Sequence, residues 1–275
     1  MKQTIAIQGI KGAFHEEAAI KIFGKEIEIE PCLTFKELAE KLNNDEIELG
    51  IMAIENTISK TILDNLELIR QYNFQISAET YLRIEQNLGI VKGASFDTIR
   101  EVQSHYMALN QCRDYFEKYP HIHLVESADT ALSIKEVAEK GSLEFAAIGS
   151  RLAIEYYGLE LLDTSIETNK ENYTRFVLVS KRPNVPTNYN KVSLTITLPH
   201  QSGALAKVLN KIHQWNSNLT KIESVPIEGK PWEYRFYLDC ILPEIPDKGQ
   251  MIESLKPITD ELKILGKYIS KTEER

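Results

Sequence analysis

The apolar residues of this chain change their spacing once, and that change constrains the fold more than any single motif. Before residue 181 they come in continuous stretches, Leu49-Gly50-Ile51-Met52-Ala53-Ile54, Phe145-Ala146-Ala147-Ile148 and Val177-Leu178-Val179. Such runs suit parallel strands covered on both faces. After residue 190 the pattern alternates, with Val192, Leu194, Ile196 and Leu198 on one side of a strand and Ser193, Thr195 and Thr197 on the other. Trp232, Tyr234, Phe236, Leu238 and Cys240 repeat the alternation. This predicts an antiparallel sheet with one buried face. Between the two regimes, Lys181 to Asn190 holds two prolines and three asparagines with little to bury, and reads as a linker.

The first region alternates strand and helix. Ile5-Ala6-Ile7 leads through Gly9 and Gly12 to a helix with Phe14, Ala18 and Ile22 one turn apart. Such a glycine turn leaves N–H groups free at a helix start, where a carboxylate or phosphate can sit; a merely tight turn fits equally. The dinucleotide fingerprint is excluded, because the third glycine and its acidic partner are missing. Thr34 and Glu37 form a capping-box pattern ahead of Leu38, Ala39 and Leu42. The run to Ile54 stops at Glu55-Asn56-Thr57, and others end at Ser104-His105, Ser127-Ala128-Asp129-Thr130 and Gly149-Ser150. Polar residues past the carboxyl ends of strands are where open α/β sheets bind ligands, although each also suits a capped turn. Ser104 is the expected cap of the helix carrying Leu109, Cys112 and Phe116.

The second region reads βαββαβ. A helix with Leu205, Val208, Leu209 and Ile212 is opened by Gln201-Ser202-Gly203; the segment Leu219 to Pro226 follows, and after the Trp232 strand come a helix near Met251 to Leu255 and a strand near Leu262 to Leu265. Helices on one face leave the sheet edges free to pair with another copy.

A chain of 275 residues, 43% apolar, is long enough for two domains, and its net charge of -8 argues against nucleic-acid and anionic-membrane surfaces. Any anionic ligand must be held by local cations and helix ends. Cys32, Cys112 and Cys240 lack the spacing of a zinc or redox site and read as core residues in a reducing compartment. A strand pattern begins at once and no apolar run is long enough to span a bilayer, so a cytosolic location is expected.

Asn172-Tyr173-Thr174-Arg175-Phe176 opens the Val177-Leu178-Val179 strand. A hydroxyl beside a guanidinium there can hydrogen-bond an oxygen and clamp a carboxylate. With Ile54-Glu55-Asn56-Thr57, Ser104-His105 followed by Ala108-Leu109 and Gln111-Cys112, and Tyr157-Gly158-Leu159, the segment stands in the order of the prephenate dehydratase family. Gly203-Ala204-Leu205 and Leu219-Thr220-Lys221-Ile222-Glu223-Ser224 resemble the effector-binding segments of that family's ACT regulatory domain.

The resemblance covers nearly the whole chain. It implies a two-lobed α/β catalytic region built like a type-II periplasmic binding protein in residues 1–182, with lobe one in about 1–76 and 160–182 and lobe two in about 77–159. A linker in 183–190 and a C-terminal βαββαβ ferredoxin-like ACT domain in 191–275 complete it. The implied activity is decarboxylating dehydration of prephenate to phenylpyruvate, with phenylalanine as inhibiting effector, no metal or organic cofactor, and a homodimer or homotetramer as the assembly. Thr174, Arg175 and Phe176 are the implied catalytic residues. Gly9, Gly12, Phe14, Glu55, Asn56, Thr57, Ser104, His105 and Asn172 would bind substrate, and Gly203, Ala204, Leu205, Leu219, Glu223 and Ser224 the effector. The chain departs from the family pattern at Ile10, Ala13 and His15, where proline, threonine and serine are usual, and also at Ala53, Thr57, Lys60, Tyr106 and Met107. Val225 stands in place of an arginine. Arogenate dehydration and a non-catalytic aromatic-acid or amino-acid sensor are the alternative functions on the same fold.

Overall fold

The computed structural model describes residues 2–182, 184–244 and 248–271. Pro183, at the start of the expected linker, and residues 245–247 and 272–275 of the expected regulatory domain lie outside the described residues. In chain order the elements are β1 (Gln3–Gln8), α1 (Phe14–Phe23), β2 (Ile27–Cys32), α2 (Phe35–Asn43), β3 (Gly50–Asn56), β4 (Lys60–Thr61), α3 (Leu63–Gln71), β5 (Gln75–Arg83), β6 (Asn87–Ile90) and β7 (Glu101–His105). There follow α4 (Tyr106–Phe116), β8 (His123–Ser127), α5 (Thr130–Lys140), β9 (Phe145–Gly149), α6 (Arg151–Tyr156), β10 (Glu160–Asp163) and β11 (Tyr173–Ser180). The last are β12 (Lys191–Thr197), α7 (Ala204–Gln214), β13 (Asn218–Pro226), β14 (Tyr234–Ile241), α8 (Lys248–Leu255) and β15 (Glu261–Tyr268). They form two compact units, whose described residues fall within Met1–Asn65 and Thr80–Phe176, and within Leu66–Glu79 and Val177–Glu274.

The first unit contains strands of two sheets. In one, β2, β1 and β3 run parallel, with the short β4 antiparallel to β3. The continuous run Ile51 to Ile54 is buried throughout, as a strand covered on both faces requires. The other sheet has the order β10-β6-β9-β7-β8, parallel from β9 to β8 and antiparallel elsewhere. Leu88, Val102, Cys112 and Ile148 lie at its core. The glycine turn after β1 locks these halves together. Gly12 has φ +87° and would place a Cβ 2.6 Å from the Ala153 Cα of α6, so only glycine fits. Ser150 Oγ donates to the Gly12 carbonyl at 2.6 Å and accepts from Ala153 N–H at 2.9 Å, capping α6 as well.

The second unit has the expected βαββαβ order, with its sheet arranged β13-β14-β12-β15 and every neighbouring pair antiparallel. Val192, Leu194 and Ile196 pack with Val208 and Ile212 of α7 and Met251, Ile252 and Leu255 of α8. The expectation of a single buried face is corrected, since Ser193 and Thr195 are 3% and 1% exposed. The segment Leu66–Glu79 belongs to this unit and supplies their cover: Tyr237 hydroxyl donates to Glu67 at 2.5 Å, and Lys191 Nζ lies 2.9 Å from Glu79. The expected free edges are corrected in part. Gly266 of β15 pairs with Ile76 of β5, and a Cβ there would lie 2.3 Å from the Ile76 carbonyl oxygen. Trp232, expected to face inward at a strand start, precedes β14 with φ +69° and is 76% exposed. No described helix is long and apolar enough to cross a membrane.

Candidate active site

Within the first unit, a cavity of about 330 Å³ opens where strand ends and helix starts from both sheets meet. Three helices begin at its wall. Ala13, Phe14 and His15 come from the start of α1, His105, Met107 and Ala108 from α4, and Ala128, Asp129 and Thr130 from α5. Each helix start carries a partial positive charge from unpaired N–H groups. His105 Nδ1 caps α4 by accepting from Met107 N–H at 3.3 Å, and Asp129 Oδ1 caps α5 by accepting from Leu132 N–H at 3.0 Å. Ala13 offers α1 no side-chain cap. Among the described residues, no lysine or arginine lines the cavity, so its positive field comes from helix starts, of which that of α5 already faces the Asp129 carboxylate.

The floor is β11. A strand turns successive side chains to opposite faces, so Thr174 and Phe176 line the cavity together while Arg175 points away. Arg175 is 2% exposed and lies 3.5 Å from a carboxylate oxygen of Glu55. Neither residue lines the cavity, and the guanidinium expected to clamp a substrate carboxylate pairs here with Glu55.

Thr174 is held by a chain of amides. Asn56 Nδ2 donates to Thr174 Oγ1 at 2.8 Å and to Asn172 Oδ1 at 2.8 Å, while Asn56 Oδ1 accepts from the N–H groups of Ile58 and Ser59 at 2.9 and 2.8 Å. Asn172 Nδ2 donates to Gln111 Oε1 at 3.0 Å, which also accepts from Gln86 Nε2 at 3.3 Å. An amide NH₂ can only donate, so Thr174 Oγ1 is the acceptor in that bond and its own proton is left for the cavity. Asn56 lines the cavity, but both its amide protons are committed to Thr174 and Asn172; it orients the hydroxyl and has no second donor for a ligand.

Other expected contacts are structural. Thr57 Oγ1 donates to the Glu171 carbonyl at 2.7 Å and accepts from Tyr173 N–H at 2.9 Å, fastening the start of β11 to the end of β3. Ser104, expected as the α4 cap and a substrate donor, instead lies within β7 and donates to the Ile148 carbonyl at 2.7 Å. His105 takes the cap. Gly9 and Gly12 do not line the cavity; Gly9, at φ +98°, leaves room for the Asp129 carboxylate, which a Cβ would meet at 3.3 Å. Phe14, Asn56, His105, Thr174 and Phe176 are the expected residues that the cavity brings together. It adds His15, Phe35, Gln86, Gln111 and Asp129. Gln111 belongs to a family motif and Asp129 to a strand end, whereas Phe35 shares the apolar face of the scaffold helix with Leu38, Ala39 and Leu42 and Gln86 belongs to no motif.

The family model for prephenate dehydratase matches residues 5–184. The chain belongs to the prephenate dehydratase family. The bifunctional chorismate mutase/prephenate dehydratase of Aquifex aeolicus (strain VF5) is 30% identical over 97% of this chain and 74% of its own length. Among solved structures, the prephenate dehydratase of Arthrobacter aurescens in complex with L-Phe matches with a TM-score of 0.84 and 26% identity, over 97% of this chain and 90% of that one. A protein described as GqqA, a novel type of quorum quenching acylase, matches with a TM-score of 0.88 and 28% identity, over 99% of this chain and all of that one. For this family the fold is a periplasmic-binding-protein-like catalytic region followed by an ACT domain, in agreement with the mixed α/β architecture.

The second unit has a smaller cavity of about 140 Å³ between the start of α7 and the start of β14, lined by Leu198, His200, Gln201, Ala204, Leu205, Trp232, Glu233, Tyr234 and Phe236. Of the expected effector residues, Ala204 and Leu205 line it and Gly203 is the N-cap of α7 at φ +79°. Leu219 packs against the sheet core, and Glu223 and Ser224 lie on β13 beside Tyr237 and Phe236 without lining the cavity.

Proposed function

We propose that the chain catalyses the decarboxylating dehydration of prephenate to phenylpyruvate, water and carbon dioxide, in phenylalanine biosynthesis, with phenylalanine as feedback inhibitor. Prephenate is a dianion whose ring becomes aromatic when the hydroxyl and the ring carboxylate leave, so the driving force is large. The C–COO⁻ bond breaks to give carbon dioxide, its electron pair enters the ring, and the C–O bond to the hydroxyl breaks at the far side. The departing oxygen leaves as hydroxide, which takes a proton from solvent to give water.

One observation carries the assignment of Thr174: the Asn56 amide holds its oxygen as acceptor and leaves its proton uncommitted at the cavity wall. A threonine hydroxyl is too weak an acid to give up its proton outright. It acts by hydrogen-bonding to the oxygen as charge develops there. The uncapped start of α1, beside the start of α4, holds the carboxylates without lysine or arginine, and Phe14, Phe35 and Phe176 supply apolar wall for the ring. The same geometry disfavours an acylase mechanism through Thr174, because a nucleophilic hydroxyl needs an adjacent base and Asn56 presents a donor.

The α7 cavity is the proposed phenylalanine site, where the start of α7 would take the carboxylate, Leu205 and Phe236 the ring, and Glu233 the ammonium. A homodimer or homotetramer joined through the C-terminal sheet is the assembly, with β13 as the edge to be paired. Incubation of the purified protein with prephenate and with arogenate tests the activity. Phenylpyruvate from prephenate is expected. Phenylalanine from arogenate alone would establish the amino analogue as substrate, and no product from either would leave a sensor.

A further inference from the structure

His15 stands second in α1 with its ring in the cavity wall, edge-on to Phe35 at 5.3 Å and 61° and to Phe176 at 5.0 Å and 86°. These two phenyl rings account for the placement of an aromatic side chain. They do not account for an imidazole. Its Nε2 is buried and has no hydrogen-bond partner in the protein, and a buried polar nitrogen left unpaired is destabilising. Phenylalanine or leucine would fill the same space without that cost. Burial also pushes its pKa down to about 4, so the ring is neutral at pH 7 and has one nitrogen that donates and one that accepts. Phe176 shares its face of β11 with Thr174, so the imidazole borders the wall from which the Thr174 proton is presented.

We propose that His15 contacts the substrate and sets specificity, one of its ring nitrogens donating a hydrogen bond to an oxygen of the bound dianion. The proposal rests on the prephenate dehydratase function and adds a recognition contact to it. A neutral donor beside an uncapped helix start adds direction without adding charge. It selects for an oxygen at one place, where the helix ends select only for negative charge. A site built around a hydrogen bond rejects ligands that cannot make it far more strongly than an apolar wall does.

His15→Phe keeps the ring and removes both nitrogens, and His15→Gln restores a neutral donor on a flexible chain. Steady-state kinetics with prephenate on the parent and both variants, beside thermal unfolding, separate the outcomes. His15→Phe is expected to unfold at the parent's temperature or above, to raise KM by about 10- to 100-fold and to leave kcat within about threefold, the pattern of a contact made equally in ground and transition states. His15→Gln should recover at least a tenth of the parent's kcat/KM. If His15→Phe keeps the parent's KM, or if His15→Gln is impaired as deeply as a well-folded His15→Phe, the ring serves packing and the proposal falls. Absence of turnover by the parent itself would instead remove the function on which the proposal depends.

Discussion

Helices α1 and α7 both begin at a residue that offers no side-chain cap, Ala13 in one unit and Gly203 in the other, and both beginnings stand at a cavity. Helices α2, α5 and α6 start on a side-chain oxygen of Thr34, Asp129 and Ser150, and α4 on the His105 ring. An uncapped start leaves N–H groups for a ligand. The difference lies in what surrounds the two starts. Around α1 two further helix starts, an oriented hydroxyl and a run of amides converge, which suits a dianion that must react. Around α7 there is one helix start, an aromatic wall and Glu233, which suits a zwitterion that need only bind.

Removing the oriented hydroxyl should separate the two cavities most sharply. Thr174→Ala is expected to lose about 10²- to 10⁴-fold in kcat, the range for a positioned donor, and to bind phenylalanine as the parent does. Calorimetry beside kinetics checks both halves, and a variant that kept its turnover would end the assignment. Asn56→Asp tests the orientation itself. Aspartate preserves the acceptor for Ile58 and Ser59 N–H but turns the donor facing Thr174 into an acceptor, which would capture the Thr174 proton. A loss of about 10²-fold in kcat with the fold retained is expected. An Asn56→Asp enzyme as fast as the parent would mean the hydroxyl needs no orienting.

A substitution at the other start should have the reverse selectivity. Gly203 holds φ +79°, a conformation that a β-branched residue adopts only under strain, and nothing within 4 Å of its would-be Cβ blocks the space. Gly203→Val is therefore expected to act through the backbone of the α7 start, weakening phenylalanine binding about tenfold while uninhibited turnover stays within twofold of the parent. Unchanged inhibition would place the effector elsewhere.

Much of this arrangement was legible in the residues, and where it was not the reason is physical. Continuous against alternating apolar runs distinguished the two kinds of sheet, because burial on one face or two leaves different periods. Adjacency in sequence suggested a joint role for Thr174 and Arg175, whereas the two-residue period of β11 turns their side chains to opposite faces. Which bonds Asn56 makes was not legible, since its partners Asn172 and Thr174 lie 116 and 118 residues away in the chain. The cover on the polar face of β12 was hidden for the same reason. Leu66–Glu79 has the pattern of an ordinary helix and strand of the first region, and only the folded chain assigns it to the second unit. Ser104 and His105 are both reasonable caps by type, and the pairing of β7 with its neighbours decided between them.

Arg175→Lys sharpens the contrast between the two faces of β11. Facing Glu55 and not the cavity, Arg175 should matter to stability more than to binding. A lysine keeps the charge but loses the planar fork, so a drop of about 1 to 2 kcal/mol in unfolding free energy with KM within threefold is expected. A large rise in KM with stability unchanged would return the guanidinium to the substrate.

The smallest effect separates the helices by pH. Glu17 on α1 has its pKa raised to about 7, chiefly by burial, with the nearby charges of Glu85 and Glu16 adding to the rise. Its ordinary value is 4.5, so between pH 4.5 and 7 the folded chain holds a proton that the unfolded chain releases. Stability then falls as pH rises through that window, and the full cost is present above pH 7. Glu17→Gln removes the charge and should raise unfolding free energy by about 1 kcal/mol at pH 8 and by nearly nothing at pH 4. The depressed pKa of His15 works in the opposite sense, costing stability as pH falls from 6.5 toward 4, but it is common to parent and variant and cancels in their difference. Thermal unfolding of both proteins from pH 4 to 8 reads the result. A gain that is the same at every pH would mean that Glu17 is ionised throughout, and that α1 carries no buried proton behind its uncapped start.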